Sequence, residues 1–404
     1  MSKVTRRGLL ASALAAGVAG ASRTGSGNAQ EKKMSRPAWD AIVIGAGVFG
    51  TWTAWHLRKA GKRVLLLDAA GPAHARASSG GESRLTRGSY GADEVYTRLA
   101  LDSLPQWKWL SEQAGLPVFH ATGVLFFFQK REPFVDQSLE AHARLKLPTQ
   151  VLDRAALEQR YPQVWWKDIE VGLFEPQFGV LMARRAVQTL VKAFVKAGGE
   201  YRVGAVKPPA AEQALPHVEL GDGTTLNAGN YVFACGPWLP KVFPRLLGSR
   251  IFPTRQEVFF FAPLAGDARF TLGSFPGWAD FNDGDIYYGM PDIESRGFKI
   301  AHDKHGPPID VRAYLARRFP ALANAPLNEE RVCQYENSSN GDLLIDRHPT
   351  AGNVLLVGAG SGHGFKHGPE VGRYAAELLT GKLRSVEPRF SLSTKAEQQN
   401  RAVH

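Results

Sequence analysis

The chain has 404 residues, 44% of them hydrophobic, which is enough to bury a large core and favours two domains over one. Its net charge of +11 comes with no arginine–aromatic array or nucleic-acid motif, so the excess indicates solubility or an anionic substrate rather than nucleic-acid binding. Two cysteines, Cys235 and Cys333, could pair in an oxidising compartment but are too few for a disulfide scaffold.

The N-terminal segment predicts export. Arg6 and Arg7 form a twin-arginine pattern, an apolar run too short to span a membrane reaches Ala21, and small residues end at Ala29. Twin-arginine signals direct the export of folded proteins, the route that a protein loaded with its cofactor in the cytoplasm needs. We therefore predict a signal peptide at 1–29 and a periplasmic location, with a disordered basic tail as the alternative. No later stretch of the sequence is long and apolar enough to cross a bilayer.

The stretch Trp39–Asp68 predicts a dinucleotide-binding turn between two buried strands. Gly45, Gly47 and Gly50 have the G-x-G-x-x-G spacing, which allows a tight turn, backbone contact with a pyrophosphate, and a helix packed close to the strand. The pyrophosphate is expected on the N–H groups at the positive end of that helix. Asp68 is placed to accept hydrogen bonds from an adenosine ribose, which argues against NADP. A structural glycine turn is the alternative, and the motif alone does not separate FAD from NAD.

A loop rich in glycine and serine follows at 77–88 and carries Arg84 and Arg87. Glycine and serine let the backbone approach a flat or bulky group, and the two arginines stand beside them. A solvated surface loop is the alternative.

The middle of the chain predicts more of a nucleotide-binding domain and then an antiparallel sheet. We expect a helix over Glu94–Ala114, broken or kinked at Pro105. From Leu173 to Trp238 the order β-α-β-hairpin-β is like the middle of a flavoprotein nucleotide-binding domain. From Ile251 the pattern changes to antiparallel strands, which include Arg255–Ala262, Gly284–Met290 and Arg296–His302.

A second glycine-rich turn, Gly358–Lys366, precedes a helix predicted over Pro369–Leu379. Such a turn supplies another positive helix end, so we expect something negative in the cofactor to rest there. His363 and His367 lie across this turn, but no cysteine or acid completes a metal site, and we predict no metal.

Several sequence blocks together carry a resemblance to a known family. They are the G-x-G-x-x-G turn with Asp68, GESRLTR at 81–87, YYGMP at 287–291, GFK at 297–299, CQY at 333–335, LLIDRHP at 343–349 and SGHGFK at 361–366. On these blocks the chain resembles the flavin-dependent amine oxidases of the monomeric sarcosine oxidase and N-methyltryptophan oxidase group, within the D-amino-acid-oxidase-like fold. The resemblance covers Trp39–Leu383.

The resemblance implies an α/β fold, bound FAD and a monomer. An FAD-binding Rossmann-like domain would comprise 38–120, 175–245 and 330–390, and an antiparallel-sheet substrate domain 121–174 and 246–329. The implied activity is oxidation of the C–N bond of a secondary or primary amino acid, with oxygen reduced to hydrogen peroxide. A dehydrogenase of the same fold that passes electrons to a quinone or a protein is the alternative. The C-terminal blocks argue against an NAD-dependent dehydrogenase.

The resemblance also implies roles for single residues. Cys333 would join the flavin through a thioether at its 8-methyl carbon, which needs a thiolate; a buried thiol or a disulfide with Cys235 is the alternative. Lys299 would lie over the flavin and promote oxygen reduction, since a fixed ammonium in a dry site stabilises negative charge on oxygen. A surface lysine at a strand end is the alternative.

The remaining implied residues hold the substrate or line the flavin site. Arg84 and Lys366 align with residues that bind the substrate carboxylate or line the flavin pocket, and Tyr288 aligns with a pocket tyrosine. A structural salt bridge or hydrogen bond is the competing explanation for each. The predicted catalytic residues are Lys299, Arg84, Lys366 and Tyr288, and the predicted cofactor-binding residues are Gly45, Gly47, Gly50, Asp68, Ser78, Arg84, Cys333, Gly362, Gly364 and Lys366.

Two positions depart from the family's pattern and alter the expected amine environment. Gly80 stands where family members commonly carry a histidine. Asp303 stands four residues after Lys299, where they have another histidine, and His302 precedes it. A shift of one residue along a strand would reverse the face that each side chain occupies. The substrate therefore stays open among N-methyl, cyclic imino and glycated amino acids.

Overall fold

A computed structural model describes residues 37–282, 285–303, 311–385 and 387–399. The predicted signal peptide at 1–29 and Gly284, the first residue of a predicted strand, lie outside the described residues. Among the helices of the described ranges, none has the length and apolar character needed to span a membrane.

The elements follow one another from Trp39 to Thr380. The strands are β1 Trp39–Ile44, β2 Val64–Asp68, β3 Ser83–Leu85, β4 Phe119–His120, β5 Val124–Phe128, β6 Gln150–Asp153, β7 Val171–Glu175, β8 Val180–Met182, β9 Glu200–Val203, β10 Val218–Glu219, β11 Thr225–Leu226, β12 Ala228–Phe233, β13 Ile251–Phe261, β14 Gly277–Asn282, β15 Asp285–Met290, β16 Phe298–His302, β17 Leu327–Ser338, β18 Leu344–Arg347 and β19 Val354–Gly358. The helices are α1 Val48–Lys59, α2 Glu94–Glu112, α3 Pro133–Leu145, α4 Arg154–Arg160, α5 Ala183–Lys196, α6 Leu239–Val242, α7 Pro244–Leu247, α8 Val311–Arg318 and α9 Gly368–Thr380.

A six-stranded sheet in the order β18-β19-β12-β1-β2-β9 contains the glycine turn. All neighbours in it are parallel except β18 and β19. Its strands are continuous apolar runs because both faces are covered. Ala41 and Val43 pack with α1 and α9, whereas Ile42 and Ile44 pack with the β10–β11 hairpin and with α6 and α7. The carboxyl ends of β1, β2 and β12 therefore meet at one edge, where α/β sheets bind their ligands.

An eight-stranded sheet in the order β17-β13-β16-β15-β14-β5-β7-β6 forms the second layer. Its neighbours are antiparallel except β5 and β14, which run parallel. Helix α8 packs on one face through Tyr314 and Leu315, against Trp278 and Phe298. A third sheet, β3-β8-β4, carries the 81–87 block.

The predicted fold class is confirmed: the structure combines a parallel sheet flanked by helices with a larger antiparallel sheet. The hairpin predicted between Leu173 and Trp238 is present as β10 and β11. The predicted break at Pro105 is wrong, because α2 runs continuously from Glu94 to Glu112. Burial of Leu104 and Trp107 on the opposite face offsets the one hydrogen bond that proline lacks. The predicted domain boundaries stay a prediction.

Candidate active site

A cavity of about 340 Å³ opens at the carboxyl edge of the six-stranded sheet. Among the residues that line it, eight were predicted to bind the cofactor: Gly45, Gly47, Asp68, Ser78, Arg84, Cys333, Gly362 and Gly364. Gly50 lies beneath the turn instead, and Lys366 lines a second, adjoining pocket. Residues that are far apart in sequence thus surround one space.

The glycine turn leaves no room for side chains at two of its positions. Gly45 has φ +107°, and a Cβ there would lie 2.3 Å from the carbonyl oxygen of Ala234. A Cβ on Gly50 would lie 1.9 Å from the carbonyl oxygen of Gly45, so only glycine lets α1 pack this close. At Gly47 the nearest atom would be Ser79 Oγ, at 3.5 Å. The backbone at Gly47 therefore faces the cavity without obstruction.

Asp68 and Ser79 fix the backbone around this turn. Asp68 Oδ2 accepts the N–H of Ala46 at 2.8 Å, and Oδ1 accepts those of Ala70 and Gly71 at 2.9 Å each. Ser79 Oγ accepts the N–H of Val48 at 3.0 Å, at the start of α1. Sequence reasoning missed Ser79. A serine in a loop 31 positions away carries no local signal that it caps this helix.

Gly80, where members of the family commonly carry a histidine, has no room for a side chain. A Cβ at Gly80 would lie 2.0 Å from the carbonyl oxygen of His74. Arg184 Nη2 also donates to the Gly80 carbonyl at 2.6 Å, which holds the backbone in place. No side chain fits here unless the backbone moves.

The second pocket, of about 110 Å³, shares a wall with the larger cavity. The residues that line both spaces are Arg84, Cys333, Tyr335, Gly362 and Phe365. Four basic side chains line the smaller pocket, the half-buried Arg84 and the buried Arg87, Lys299 and Lys366, together with the acid Asp303. The pocket is therefore small, lined in part by aromatic side chains, and rich in positive charge.

Cys333 lies on the shared wall beside a guanidinium. Arg84 Nη2 donates to Cys333 Sγ at 3.2 Å and to the Ser78 carbonyl at 2.5 Å. The guanidinium therefore donates to the sulfur atom that a thioether link would use. Both cysteines are free, so a disulfide with Cys235 is not formed. Burial raises the pKa of the Cys235 thiol, which leaves it unreactive.

Lys299 is a buried residue of β16, and the alternative of a surface lysine is wrong. Its side chain is 2% exposed, and Nζ donates to the Ser83 carbonyl at 2.9 Å. Burial, followed by the positive charge of Arg84, lowers the pKa of Lys299 to about 7. The ammonium is therefore close to losing its proton at neutral pH.

Lys366 belongs to a polar cluster centred on Tyr90. Its Nζ lies 2.8 Å from Tyr90 Oη and donates to the His363 carbonyl at 2.6 Å. Tyr90 Oη also contacts His363 Nδ1 at 3.3 Å and His367 Nε2 at 2.8 Å. Burial lowers the pKa of Lys366 well below its ordinary value, and the charge of Arg87 lowers it further.

Sequence reasoning did not assign Arg87 to the site. Its guanidinium stacks 3.8 Å from the centroid of the Tyr90 ring and lines the smaller pocket beside Lys366. The signal was the second arginine of the 81–87 block, three positions after Arg84. It follows the end of β3 by two residues and lines the same pocket as Arg84.

Tyr288 and Asp303 also line the smaller pocket. The Tyr288 and Tyr335 hydroxyls lie 3.0 Å apart, and burial raises the pKa of Tyr288. Strand β16 ends at His302, whose ring stacks on Tyr287 at 4.1 Å between centroids and whose Nε2 lies 2.5 Å from Asp285 Oδ1. Asp303, and not His302, is the residue that lines the pocket.

The larger cavity fits a dinucleotide. It offers the glycine cradle, the Asp68 carboxylate beside it, and the carboxyl edge of a parallel sheet. Glu336 also lines it, and its buried Oε1 has no hydrogen-bond partner among the described residues. Burial raises the pKa of Glu336 to about 8, so this carboxyl can carry a proton in an apolar setting.

Comparison with known proteins supplies the family. The family described as FAD dependent oxidoreductase matches residues 40–378. Monomeric sarcosine oxidase of Bacillus sp. (strain B-0618) is 29% identical over 385 residues, covering 89% of this chain and 96% of that protein. N-methyl-L-tryptophan oxidase of Citrobacter koseri is 31% identical over 379 residues, covering 88% and 97%.

Solved structures share the fold. A modified fructosyl peptide oxidase from Aspergillus nidulans superposes with a TM-score of 0.77 at 22% identity, covering 91% of this chain and 97% of that one. L-proline dehydrogenase from P. horikoshii superposes with a TM-score of 0.76 at 19% identity, covering 88% and 97%.

Proposed function

This chain belongs to the family of FAD-dependent oxidoreductases, and we propose that it oxidises the C–N bond of a secondary or primary amino acid and reduces oxygen to hydrogen peroxide. It is an FAD-dependent enzyme whose relatives include sarcosine and N-methyltryptophan oxidases. The observation that carries the proposal is the small pocket with Lys299, Lys366 and Arg87 in its lining, beside a cavity that fits the dinucleotide.

FAD is assigned to the larger cavity. Gly45 and Gly47 would receive the pyrophosphate, and Asp68 would accept from the adenosine ribose. Bound FAD supplies the two-electron acceptor for amine oxidation. Tyr335 and Phe365 line both spaces, so they are placed to orient the reactive end of the cofactor toward the substrate.

The substrate is assigned to the smaller pocket. Arg87 offers a cationic donor to a carboxylate, which arginine's planar fork can bind through two hydrogen bonds, and Lys366 offers a further N–H donor. Phe126, Phe281 and Met290 line the pocket with apolar surface and exclude water from the reacting carbon. A volume of about 110 Å³ favours a small amino acid.

Lys299 is assigned to oxygen. Its ammonium form places a positive charge in a dry site that also contains Arg84, and negative charge develops on oxygen when oxygen is reduced. A buried ammonium of this kind favours the proposed oxidase over the alternative, a dehydrogenase that passes electrons to a quinone or a protein.

Attachment of the flavin through Cys333 is part of the proposal. The position of Sγ on the wall between the two spaces, 3.2 Å from the Arg84 guanidinium, supports it. We further propose that the enzyme is a monomer exported to the periplasm, on the basis of the family resemblance and the twin-arginine pattern.

Peroxide yield tests the function. Purified protein should be yellow, and a panel of N-methyl, cyclic imino and glycated amino acids should include one that bleaches the flavin without oxygen. In air, each molecule of that amine should give one molecule of hydrogen peroxide. Turnover that requires an artificial acceptor and gives no peroxide in air would favour the dehydrogenase, and protein without flavin absorption would exclude both.

A further inference from the structure

We propose that Lys366 is the base that removes the proton from the ammonium group of the bound amino acid, and that the lysine ammonium formed in this way then holds the substrate's carboxylate. The inference rests on the proposed function, because it requires an amino acid as substrate. It assigns the proton acceptor for a step that must precede oxidation, since an ammonium nitrogen has no lone pair to support a C=N bond.

The contacts of Lys366 suit a neutral amine. Its side chain is 5% exposed, and Nζ has two polar neighbours, the His363 carbonyl at 2.6 Å and Tyr90 Oη at 2.8 Å. Among the described residues no carboxylate forms an ion pair with it. Nζ donates to both neighbours, and the two N–H groups of a neutral amine suffice for this while its lone pair stays free to accept a proton. A buried ammonium here would lack a counter-ion.

The surrounding charges favour the same state. Burial is the largest cause that lowers the pKa of Lys366, the Arg87 charge is the second, and Glu175 opposes them. Glu175 is itself committed to the 88–89 segment, where its Oε2 accepts the N–H of Gly88 at 2.8 Å. Burial also raises the pKa of Tyr90, so its hydroxyl stays protonated beside Nζ.

Two histidines also belong to this cluster, Tyr96 stacks on the Tyr90 ring, Asp93 acts on the pKa of Tyr90, and Asp303 lines the same pocket. His363 Nδ1 and His367 Nε2 both contact Tyr90 Oη, at 3.3 and 2.8 Å. Their rings are linked to Lys366 Nζ through this hydroxyl. Lys366 itself lines the pocket. His363 lines the pocket as well, which makes it the competing acceptor that the experiment must separate.

The proton transfer balances without any group from solvent. An amino acid enters as a zwitterion with one ammonium and one carboxylate. One N–H bond of the ammonium breaks, its electron pair stays on nitrogen, and a new N–H bond forms at Nζ. The substrate is left with a neutral amine and a carboxylate, and Lys366 becomes the cation beside Arg87 that the carboxylate needs. The total charge of the complex does not change.

Two matched compounds test this in the flavin-loaded enzyme. The first, 2-methylalanine, is a zwitterion with no hydrogen on its α carbon, so it cannot be oxidised there. The second, 2,2-dimethylpropanoate, has a methyl group in place of the ammonium. Calorimetric titrations at neutral pH, in buffers with different ionisation enthalpies, give the number of protons exchanged with solvent on binding.

The expected counts differ between the two compounds. When 2,2-dimethylpropanoate binds, the protein should take up about one proton per site, because Lys366 must draw its proton from solvent. Binding of 2-methylalanine should exchange about none, because the proton moves internally. Two results would overturn this inference and leave the proposed function intact. They are binding of 2,2-dimethylpropanoate without proton uptake, and release of a proton when 2-methylalanine binds. Failure of both compounds to bind would count against the proposed function as well.

Variants identify the acceptor. Lys366→Arg keeps a cation that does not lose its proton, so the carboxylate should bind with no uptake and 2-methylalanine should release about one proton. Lys366→Met keeps an unbranched apolar stem and should also abolish uptake. It is the second test in case Lys366→Arg disturbs the packing. Uptake that persists in both variants would move the base to His363 and overturn the assignment. Lys192→Met, at an exposed position of α5, is the matched control and should behave as the wild type.

Discussion

Two lysines in one pocket have different partners, and this separates their proposed roles. Lys299 donates to the Ser83 carbonyl, and its pKa is lowered to about 7. Lys366 is held between the Tyr90 hydroxyl and the His363 carbonyl, and its pKa is lowered well below the ordinary value. Burial is the largest cause for both, because removing an ammonium from water favours its neutral form. Burial thus destabilises the ammonium form of both lysines in this one site.

Replacing Lys299 with Met should slow the reaction of reduced flavin with oxygen by on the order of 10²-fold, and slow anaerobic flavin reduction by substrate much less. In the wild type the oxygen reaction should slow as pH rises through about 7, because the ammonium is present below that pKa and lost above it. The variant should lose this pH dependence. Stopped-flow absorbance measures both half-reactions.

The exposed Lys192 provides the control for Lys299, and Lys192→Met should leave both rates unchanged. If Lys299→Met slows anaerobic flavin reduction as steeply while the oxygen reaction stays intact, the lysine serves the amine and not oxygen.

Cys333→Ser should release its flavin on acid denaturation, whereas wild-type protein should stay yellow and exceed the apoprotein mass by one FAD. A serine hydroxyl is a much weaker nucleophile than a thiolate and forms no thioether. Cys235→Ser is the matched control and should keep the flavin attached. Flavin found free in the supernatant of denatured wild-type protein would end the covalent proposal without affecting the fold.

At the scale of elements, a buried ion pair joins α8 to the eight-stranded sheet. Arg318 is fully buried at the end of α8, and it pairs with Asp280 of β14 at 3.0 Å and with Asp168 at 2.6 Å. Tyr314 of the same helix donates to Asp280 at 2.7 Å. Burial raises the pKa of Asp280, so its charge depends on the arginine. The pair fixes how the helix lies on the sheet that carries Lys299.

Arg318→Met should lower the free energy of unfolding by about 3–5 kcal/mol, because it leaves a buried carboxylate without its partner. Arg317→Met, one residue earlier and half-exposed, should change it by about 0.5 kcal/mol or less. Chemical denaturation of the two flavin-loaded variants measures the difference. Equal stability of the two would show that the buried pair contributes nothing beyond a surface contact.

At the scale of the whole molecule, the site lies where two sheets meet. Strand β17 belongs to the eight-stranded sheet, yet its residues Cys333–Glu336 line the cavity at the edge of the six-stranded sheet. The two spaces share five lining residues, so cofactor and substrate sites are parts of one surface. The proposed export of a protein that assembles this surface around FAD requires a route for folded chains.

Changing Arg6 and Arg7 together to Lys should leave flavin-loaded protein in the cytoplasm, because the twin-arginine route requires the pair. Cell fractionation followed by flavin fluorescence measures this. Arg23→Lys, in the same segment, is the control and should be exported normally. Delivery of the double variant to the periplasm at the wild-type level would show that another pathway is used.

The local chemistry of the glycine turn could be predicted from the sequence alone. A Cβ can occupy neither Gly45 nor Gly50. At Gly50 the obstacle is the nearby Gly45, whereas at Gly45 it is the distant Ala234. The fold class followed for the same reason, because apolar runs and glycine spacing are local properties. The short sequence blocks between 81–87 and 361–366 carried the resemblance to the family.

The tertiary structure alone decided which side chains meet. Ser79 caps α1 from 31 residues away, Arg87 returns to the pocket, and Asp303 replaces His302 in its lining. The same holds for the two lysines. The sequence shows that Lys299 and Lys366 are present, but their protonation depends on burial and on charges such as Arg84 and Arg87, which folding brings together from several strands and loops. Desolvation is a property of the packed molecule, and no local pattern records it.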